Sequence, residues 1–392
     1  MQATEPGNDR NIIENYILLA SLLLYPFEIL NHTVFLFPVI ALITLSIWRI
    51  SSAKAWDGSY YKLIILLSSS VLTFTSAIVV EILAENPNHL LVSKIAINLP
   101  FIILIYWSGL ELNVTIFISW IRKFTLFSIC LLIFLYIKSD TSWVQVFLLF
   151  SADESIASSQ LYGFAQPLEG VFLTKNISAM FYVSLFGLYL FCIKISNQEI
   201  DLATAISFFI CIALFFSRQA VLSYITILSI FLILKPGIFR YLAWGLSPLF
   251  IAFIFLKLFD FDSRADGASE RILLWQYFFN NFSNFGFLGI GLNSLNEMLY
   301  STIGIDNFHM FFMNQIGAYG LVHFIFFSIF CITAFLKAIN QKDLFILIAS
   351  YYLNVLFQTY GYEFGNLFLF VFLLNKIQST TQITSSKQSY IE

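Results

Sequence analysis

Runs of about 17–25 mostly apolar residues recur along the whole chain, the length a helix needs to cross a hydrocarbon core. Stretches of that kind must satisfy their backbone hydrogen bonds internally, so helices are the expected form. A mean hydropathy of +0.83 and 46 Phe among 392 residues exclude an ordinary soluble domain. The runs fall near 12–30, 33–50, 60–81, 91–110, 119–138, 176–195, 200–217, 219–235, 241–259, 311–336, 343–359 and 363–376. The expected class is therefore all-α, a polytopic integral membrane protein of about 12 transmembrane helices. Residues 1–376 read as a single membrane domain, and the Ser/Thr/Gln-rich tail at 377–392 reads as a disordered cytoplasmic segment. Pro26, Pro38, Pro100 and Pro248 lie inside or near these runs, which membrane helices tolerate.

Charge sets the expected orientation. With the N-terminus cytoplasmic, 13 of the 20 basic residues fall on the inner side, as the positive-inside rule requires. Lys94, Lys138, Lys175, Arg218, Lys257, Arg264 and Arg271 fall outside. The two longest polar loops, about 139–175 and 260–310, then lie on the outer face as well. Glu5 and Asp9 stand where a cleavable signal peptide would carry basic residues, so none is expected. Cys130, Cys192, Cys211 and Cys331 all sit in apolar runs, which argues against a disulfide framework and a thiolate metal site.

The chain is only 11% charged, so the 260–310 segment, with Asp260, Asp262, Arg264, Asp266, Glu270 and Arg271, stands apart. Within it Ser269–Asn280 is predicted to form an interfacial helix capped by Ser269, with Ile272, Trp275, Phe278 and Phe279 as its apolar face. Gly286, Gly289 and Gly291 lack the spacing and the βαβ setting of a dinucleotide fingerprint. They suit a tight re-entrant turn with close backbone approach instead. Asp260-Phe-Asp262 has a D-x-D spacing used by some metal-dependent sugar-nucleotide enzymes, but two carboxylates so spaced are common by chance. No P-loop, nucleophile elbow or H-E-x-x-H pattern occurs.

Four positions carry the candidate chemistry. Arg218, in FFSRQAVL between two spans, is either a snorkelling anchor or a functional charge whose fork matches phosphate oxygens. Arg271, beside Glu270, is either a surface ion pair or a second contact for the same anion. His309, just ahead of the tenth span, is either structural or a general base near neutral pH. Asn176 opens the sixth span, where helix capping is its ordinary role. Arg264 and Glu363 join Asn176 as substrate-binding candidates, Glu363 as an anchor for one of the arginines or as a solvated loop residue. His323 reads as a helix-to-helix hydrogen-bonding residue.

In order along the chain stand FLTKNISA, SRQAVL, RILLWQ, GFLGIGLNS and FHMFFMNQIGAYGL. This order, over about residues 170–335, resembles the O-antigen polymerase and O-antigen ligase superfamily of bacterial envelope glycosyltransferases. The resemblance implies a GT-C-like helical enzyme of the bacterial inner membrane, acting on an undecaprenyl-diphosphate-linked oligosaccharide at the periplasmic face. It implies that Arg218 and Arg271 contact the lipid diphosphate, that His309 stands beside the acceptor sugar, and that no metal or other cofactor is needed. Membrane lipid and a chain-length regulator protein are the partners it implies, with no nucleic acid. Met310 departs from the family pattern, which commonly has a small polar residue such as Asn after the histidine. Rapid divergence outside the motifs favours a polymerase; a ligase acting on lipid A–core or protein is the alternative. A flippase or other transporter would be expected to hold its ionisable groups near the bilayer midplane, often on broken helices.

Overall fold

The structure, a computed structural model, describes residues 6–27, 61–89, 111–139, 163–235, 268–285, 287–340, 342–358 and 376–378, with isolated positions between them. The described helices are α1 (Pro6–Leu23), α2 (Tyr61–Leu83), α3 (Val114–Lys138), α4 (Lys175–Ile195), α5 (Leu202–Ala213), α6 (Arg218–Leu234), α7 (Ala268–Asn280), α8 (Leu292–Ile303), α9 (Phe311–Asn340) and α10 (Leu344–Phe357). Eight of these answer to predicted spans. The runs at 33–50, 91–110, 241–259 and 363–376 lie largely outside the described residues. Among the described residues, four stretches are long and apolar enough to cross a membrane by length and composition: Ile64–Leu83, Val114–Lys138, Lys175–Ile195 and Phe311–Thr333.

Side-chain burial runs opposite to that of a water-soluble helix. In α3 Thr125 and Ser128 are fully buried, whereas Leu126, Phe127, Phe134 and Ile137 are 55–63% exposed. Helix α2 likewise buries Ser69, Ser70 and Thr73 and turns Leu72 and Val79 outward. Outward hydrophobes cost nothing in lipid, and the hydroxyls each find a carbonyl one turn back, as Thr125 does with Ile121 at 2.9 Å.

Helix α4 is the hub, buried on every face and packed against α3, α5, α6 and α10. Small residues let it approach α10 closely: a methyl on Gly187 would stand 2.8 Å from Ser350 Cβ. One turn away Asn354 Nδ2 donates to Ser184 Oγ at 3.1 Å. A short parallel pair, β1 (Glu111–Asn113) with β2 (Lys376–Gln378), adds a small β element to the expected all-α chain. Asn15 braces it, donating to the Glu111 carbonyl and accepting from the Asn113 amide, both at 2.9 Å. Helix α1 ends at Leu23 in a turn through Leu24–Pro26, short of the predicted end at 30. Pro26 explains this, since it disfavours helical geometry at Tyr25 and donates no hydrogen bond itself.

The predicted span at 311–336 is corrected. Gly320 has φ 80 and ψ 178, and α9 is two arms, Phe311–Tyr319 and Leu321–Asn340. The Phe311 and Phe327 ring centroids are 5.3 Å apart and those of Phe312 and Phe324 6.4 Å. Residues 16 apart on a straight helix would be separated by about 24 Å along the axis, so the first arm folds back on the second. Only the second arm can cross a membrane unaided, although hydropathy alone reads Phe311–Thr333 as one span. Backbone groups freed at the bend are taken up by the glycine-bearing loop. Gly291 N donates to Ala318 O at 2.8 Å and Val322 N to Phe287 O at 3.3 Å. This is the close backbone approach that the glycine run predicts: a methyl on Gly289 would collide with Ala318 O, and one on Gly320 with Phe287 O.

Candidate functional site

The N-termini of α4 and α6 meet. Chain leaves α5 through a turn that places Phe216 at φ 53, a left-handed conformation uncommon for a bulky residue. Three contacts hold that turn. Lys175 Nζ donates to the Phe216 carbonyl at 3.3 Å, Ser217 Oγ donates to Asn176 Oδ1 at 2.9 Å, and the Tyr136 hydroxyl donates to the Leu214 carbonyl. Ser217 therefore spends its hydroxyl on Asn176 and does not cap α6 through its side chain. Asn176 sits inside the first turn of α4, whose cap residue is Thr174, so its predicted capping role is replaced by a tie to the Arg218 turn. Lys175 is buried within electrostatic reach of Arg218.

From α7, Arg271 completes the assembly. Its Nη2 donates to Gln219 Oε1 at 3.1 Å and its Nη1 to the His309 carbonyl at 3.4 Å. Helix α7 divides its predicted apolar face between the protein and the outside. Leu274 and Phe278 are buried with half-buried Arg271 and Trp275, while Ile272 and Phe279 are 40% and 68% exposed. Arg271 reaches inward to Gln219 and His309, and Phe278 packs there against Phe282, Phe285 and Phe308. The helix begins at Ala268, so Ser269 lies within its first turn instead of capping it.

His309 is fixed by its neighbours. Phe308 is fully buried and its amide donates to Asn314 Oδ1 at 2.9 Å, while the His309 amide donates to Asn307 Oδ1 at 2.8 Å. His309 itself has φ 50, so two of the three described non-glycine residues with positive φ border this site. Strain of that kind costs about 1–3 kcal/mol and persists where surrounding contacts impose it. Burial, and then the Arg271 charge, hold the His309 imidazole down to about 4, with Asp306 opposing weakly. The ring is thus neutral at pH 7.

All four described candidates, Asn176, Arg218, Arg271 and His309, belong to one connected group. Arg264 and Glu363 lie outside the described residues, as do Asp260 and Asp262. Two members were missed in the sequence, Lys175 and Gln219. Each is the chain neighbour of a residue that was singled out, and the dipeptides Lys175-Asn176 and Arg218-Gln219 were the available signal. Buried side-chain atoms without a hydrogen-bond partner among the described residues include Gln219 Nε2, Ser223 Oγ, Trp275 Nε1 and Gln315 Oε1. Farther along α6, Thr226 and Ile230 line an apolar cavity of about 340 Å³ with Phe312 and Phe335 of α9 and Ile348 and Tyr352 of α10. No protein-family model matches the chain, and no curated protein matches it either.

Proposed function

We propose that this chain is a glycosyltransferase of a bacterial inner membrane, a polysaccharide polymerase. It moves a glycan from an undecaprenyl-diphosphate-linked donor to the acceptor sugar of a second lipid-linked repeat at the periplasmic face. The observation that carries the reading is the Arg271 guanidinium, which joins Gln219, next to Arg218, to the His309 backbone. Two arginines, a buried lysine and one neutral imidazole come together on four separate segments of an otherwise apolar chain. Fixed cations in a partly dehydrated cleft suit a leaving group whose negative charge grows in the transition state. Arginine forks match diphosphate oxygens with two parallel hydrogen bonds.

In this scheme the acceptor hydroxyl attacks the anomeric carbon, the carbon–oxygen bond to the diphosphate breaks, and the electron pair stays on the departing diphosphate. His309 takes the hydroxyl proton, and the anomeric centre inverts. An imidazole at about 4 is a weak base, but the cause of its depression includes Arg271. A diphosphate bound on Arg271 offsets that part of the depression and moves His309 upward, while burial continues to hold it down. The apolar cavity beside α6 offers room for part of a prenyl chain.

Depth and sidedness support the same reading. Helix α6 has 17 residues, about 26 Å, against a hydrocarbon core of about 30 Å, so both its ends cannot reach the membrane surfaces. Segments assigned by charge to the inner side touch one another: Lys235 lies 3.6 Å from Glu199, and Lys194 Nζ donates to Leu234 O. Those assigned to the outer side do likewise, as when Asn88 Nδ2 donates to Asn293 Oδ1 at 3.1 Å. A gel of surface polysaccharide from a deletion strain tests the proposal. A core bearing one repeat unit means polymerase, bare core with accumulated lipid-linked polymer means ligase, and an unchanged ladder sinks both.

A second reading, a polysaccharide flippase or other transporter, is favoured by one observation. The arm of α9 folds back at Gly320 close to two buried ionisable residues, Glu81 and His323.

A further inference from the structure

Gln219 is 7% exposed, and its carboxamide is oriented from one side only. Oε1 accepts from Arg271 Nη2, so Nε2 points away from the guanidinium, and it has no partner among the described residues. The reverse amide orientation would set N–H against N–H, so this assignment is firm. One helical turn along α6 the buried Ser223 hydroxyl has no partner among the described residues; one turn along α7 from Arg271 the same holds for the Trp275 indole N–H. Unpartnered buried polar groups are thus found on both helices that the Gln219–Arg271 bond joins.

We propose that Gln219 and Trp275 recognise the first sugar next to the diphosphate, and so set which glycan the site accepts. This rests on the reading of the cationic cluster as a diphosphate site. The vacant atoms are uncharged, whereas the anion has Lys175, Arg218 and Arg271 beside it. Amide N–H, indole N–H and hydroxyl groups call for neutral oxygen acceptors, which sugar hydroxyls, ring oxygens and acetamido carbonyls provide. An indole also brings an apolar face for the C–H side of a pyranose. Because a site that hydrogen-bonds its substrate rejects analogues lacking the matching group, these two residues are specificity determinants as well as contacts.

The experiment uses the full chain purified into lipid nanodiscs and two probes, undecaprenyl diphosphate and the same lipid bearing one N-acetylhexosamine. The wild type is expected to bind the sugar-bearing lipid roughly five- to tenfold more tightly than the bare one, the value of one or two hydrogen bonds. Trp275→Phe keeps the ring and removes the N–H, and Gln219→Met keeps the length and removes the amide. Each is expected to reduce the affinity ratio toward one, with Trp275→Phe leaving the bare lipid within about twofold. If the wild type binds both lipids and neither substitution changes the ratio, the sugar assignment is overturned and the diphosphate reading stands. If neither lipid binds the wild type, both are overturned.

Discussion

Two buried polar clusters in this molecule differ in one respect, whether their groups are satisfied. At the fold-back of α9, Glu81 accepts from Leu292 N at 2.8 Å and Asn88 N at 3.1 Å and is hydrogen-bonded by the Tyr319 hydroxyl. Beside it His323 Nδ1 lies 2.9 Å from Ser76 Oγ, whose proton goes to the Thr73 carbonyl. Each of these side chains has a partner. Around Gln219, by contrast, Gln219 Nε2, Ser223 Oγ and Trp275 Nε1 have none among the described residues. Burying a polar group costs free energy unless it is hydrogen-bonded, so a closed cluster stabilises the fold and an open one has another use. Glu81 also sits at the N-terminus of α8, where a carboxylate complements the helix dipole. On this comparison the ionisable pair behind the transporter reading has the satisfied contacts of a staple, and the unpartnered groups around Gln219 are the ones that suit the proposed ligand.

The largest effects are expected at the staple. Gly320→Ala forces a methyl into the Phe287 carbonyl at a φ of 80, and Glu81→Leu strands two amides. Each should destabilise the protein by about 3–5 kcal/mol. Thermal unfolding of the detergent-solubilised protein would report this as a lower midpoint and a lower folded yield, with polymer made per folded molecule unchanged. A normal midpoint with lost polymerisation would reverse the assignment of the two clusters.

Arg218→Ala and Arg271→Ala are expected to act in the opposite sense. Polymerisation should fall about 10²–10³-fold, the usual loss on removing a group that stabilises transition-state charge. Folded yield should hold for Arg218→Ala, whereas Arg271→Ala also strands the buried Gln219 oxygen and should lower stability by about 1–3 kcal/mol, so its polymerisation is compared per folded molecule. Full polymerisation by both variants at normal protein levels would remove the proposed function.

Much of this difference was hidden in the sequence, for a physical reason. Hydropathy marks where helices run but not which pair, so neither the packing of α2 against α9 nor the satisfaction of Glu81 was visible. The fold-back was hidden too, since residues on both sides of Gly320 are equally apolar and length alone suggested one span. On α7 the pattern grouped Ile272, Trp275, Phe278 and Phe279 as one apolar face, and it could not show that Arg271 turns toward Gln219 and His309. What could be read was the gathering of Arg218, Arg271, His309 and Asn176. These residues interrupt apolar runs at helix ends, and a membrane protein has few other positions for polar chemistry.

A moderate effect is expected from pH. His309 is held near 4 by burial and by Arg271, so its neutral form persists as acidity rises from pH 7 through its ordinary value of about 6.5. The unfolded chain takes up a proton in that window and the folded chain does not, so His309 lowers stability as pH falls from about 6.5 toward 4. On the proposed function, a diphosphate bound on Arg271 would move the folded value upward. The acid limb of donor-saturated turnover should therefore lie above that of the free enzyme, and Arg271→Ala should narrow the gap. Coincident limbs in the wild type would detach His309 from the diphosphate.

The smallest effect tests the closed cluster hardest. Ser76→Ala removes the hydroxyl beside His323, and the imidazole loses one neutral hydrogen bond, worth about 1 kcal/mol. If Glu81, Tyr319 and His323 serve as a staple, that is the whole consequence: a slightly lower unfolding midpoint and a normal polysaccharide ladder. If instead they relay protons for transport, cutting the His323–Ser76 bond interrupts the path, and surface polysaccharide falls far more than 1 kcal/mol of stability can explain. His323→Asn separates the outcomes further, since an amide can keep the hydrogen bond to Ser76 but cannot carry a proton. A ladder unchanged in both variants leaves α2 and α9 as the frame that holds the glycine loop against the bend, and leaves the chemistry to the α4–α6–α7 cluster.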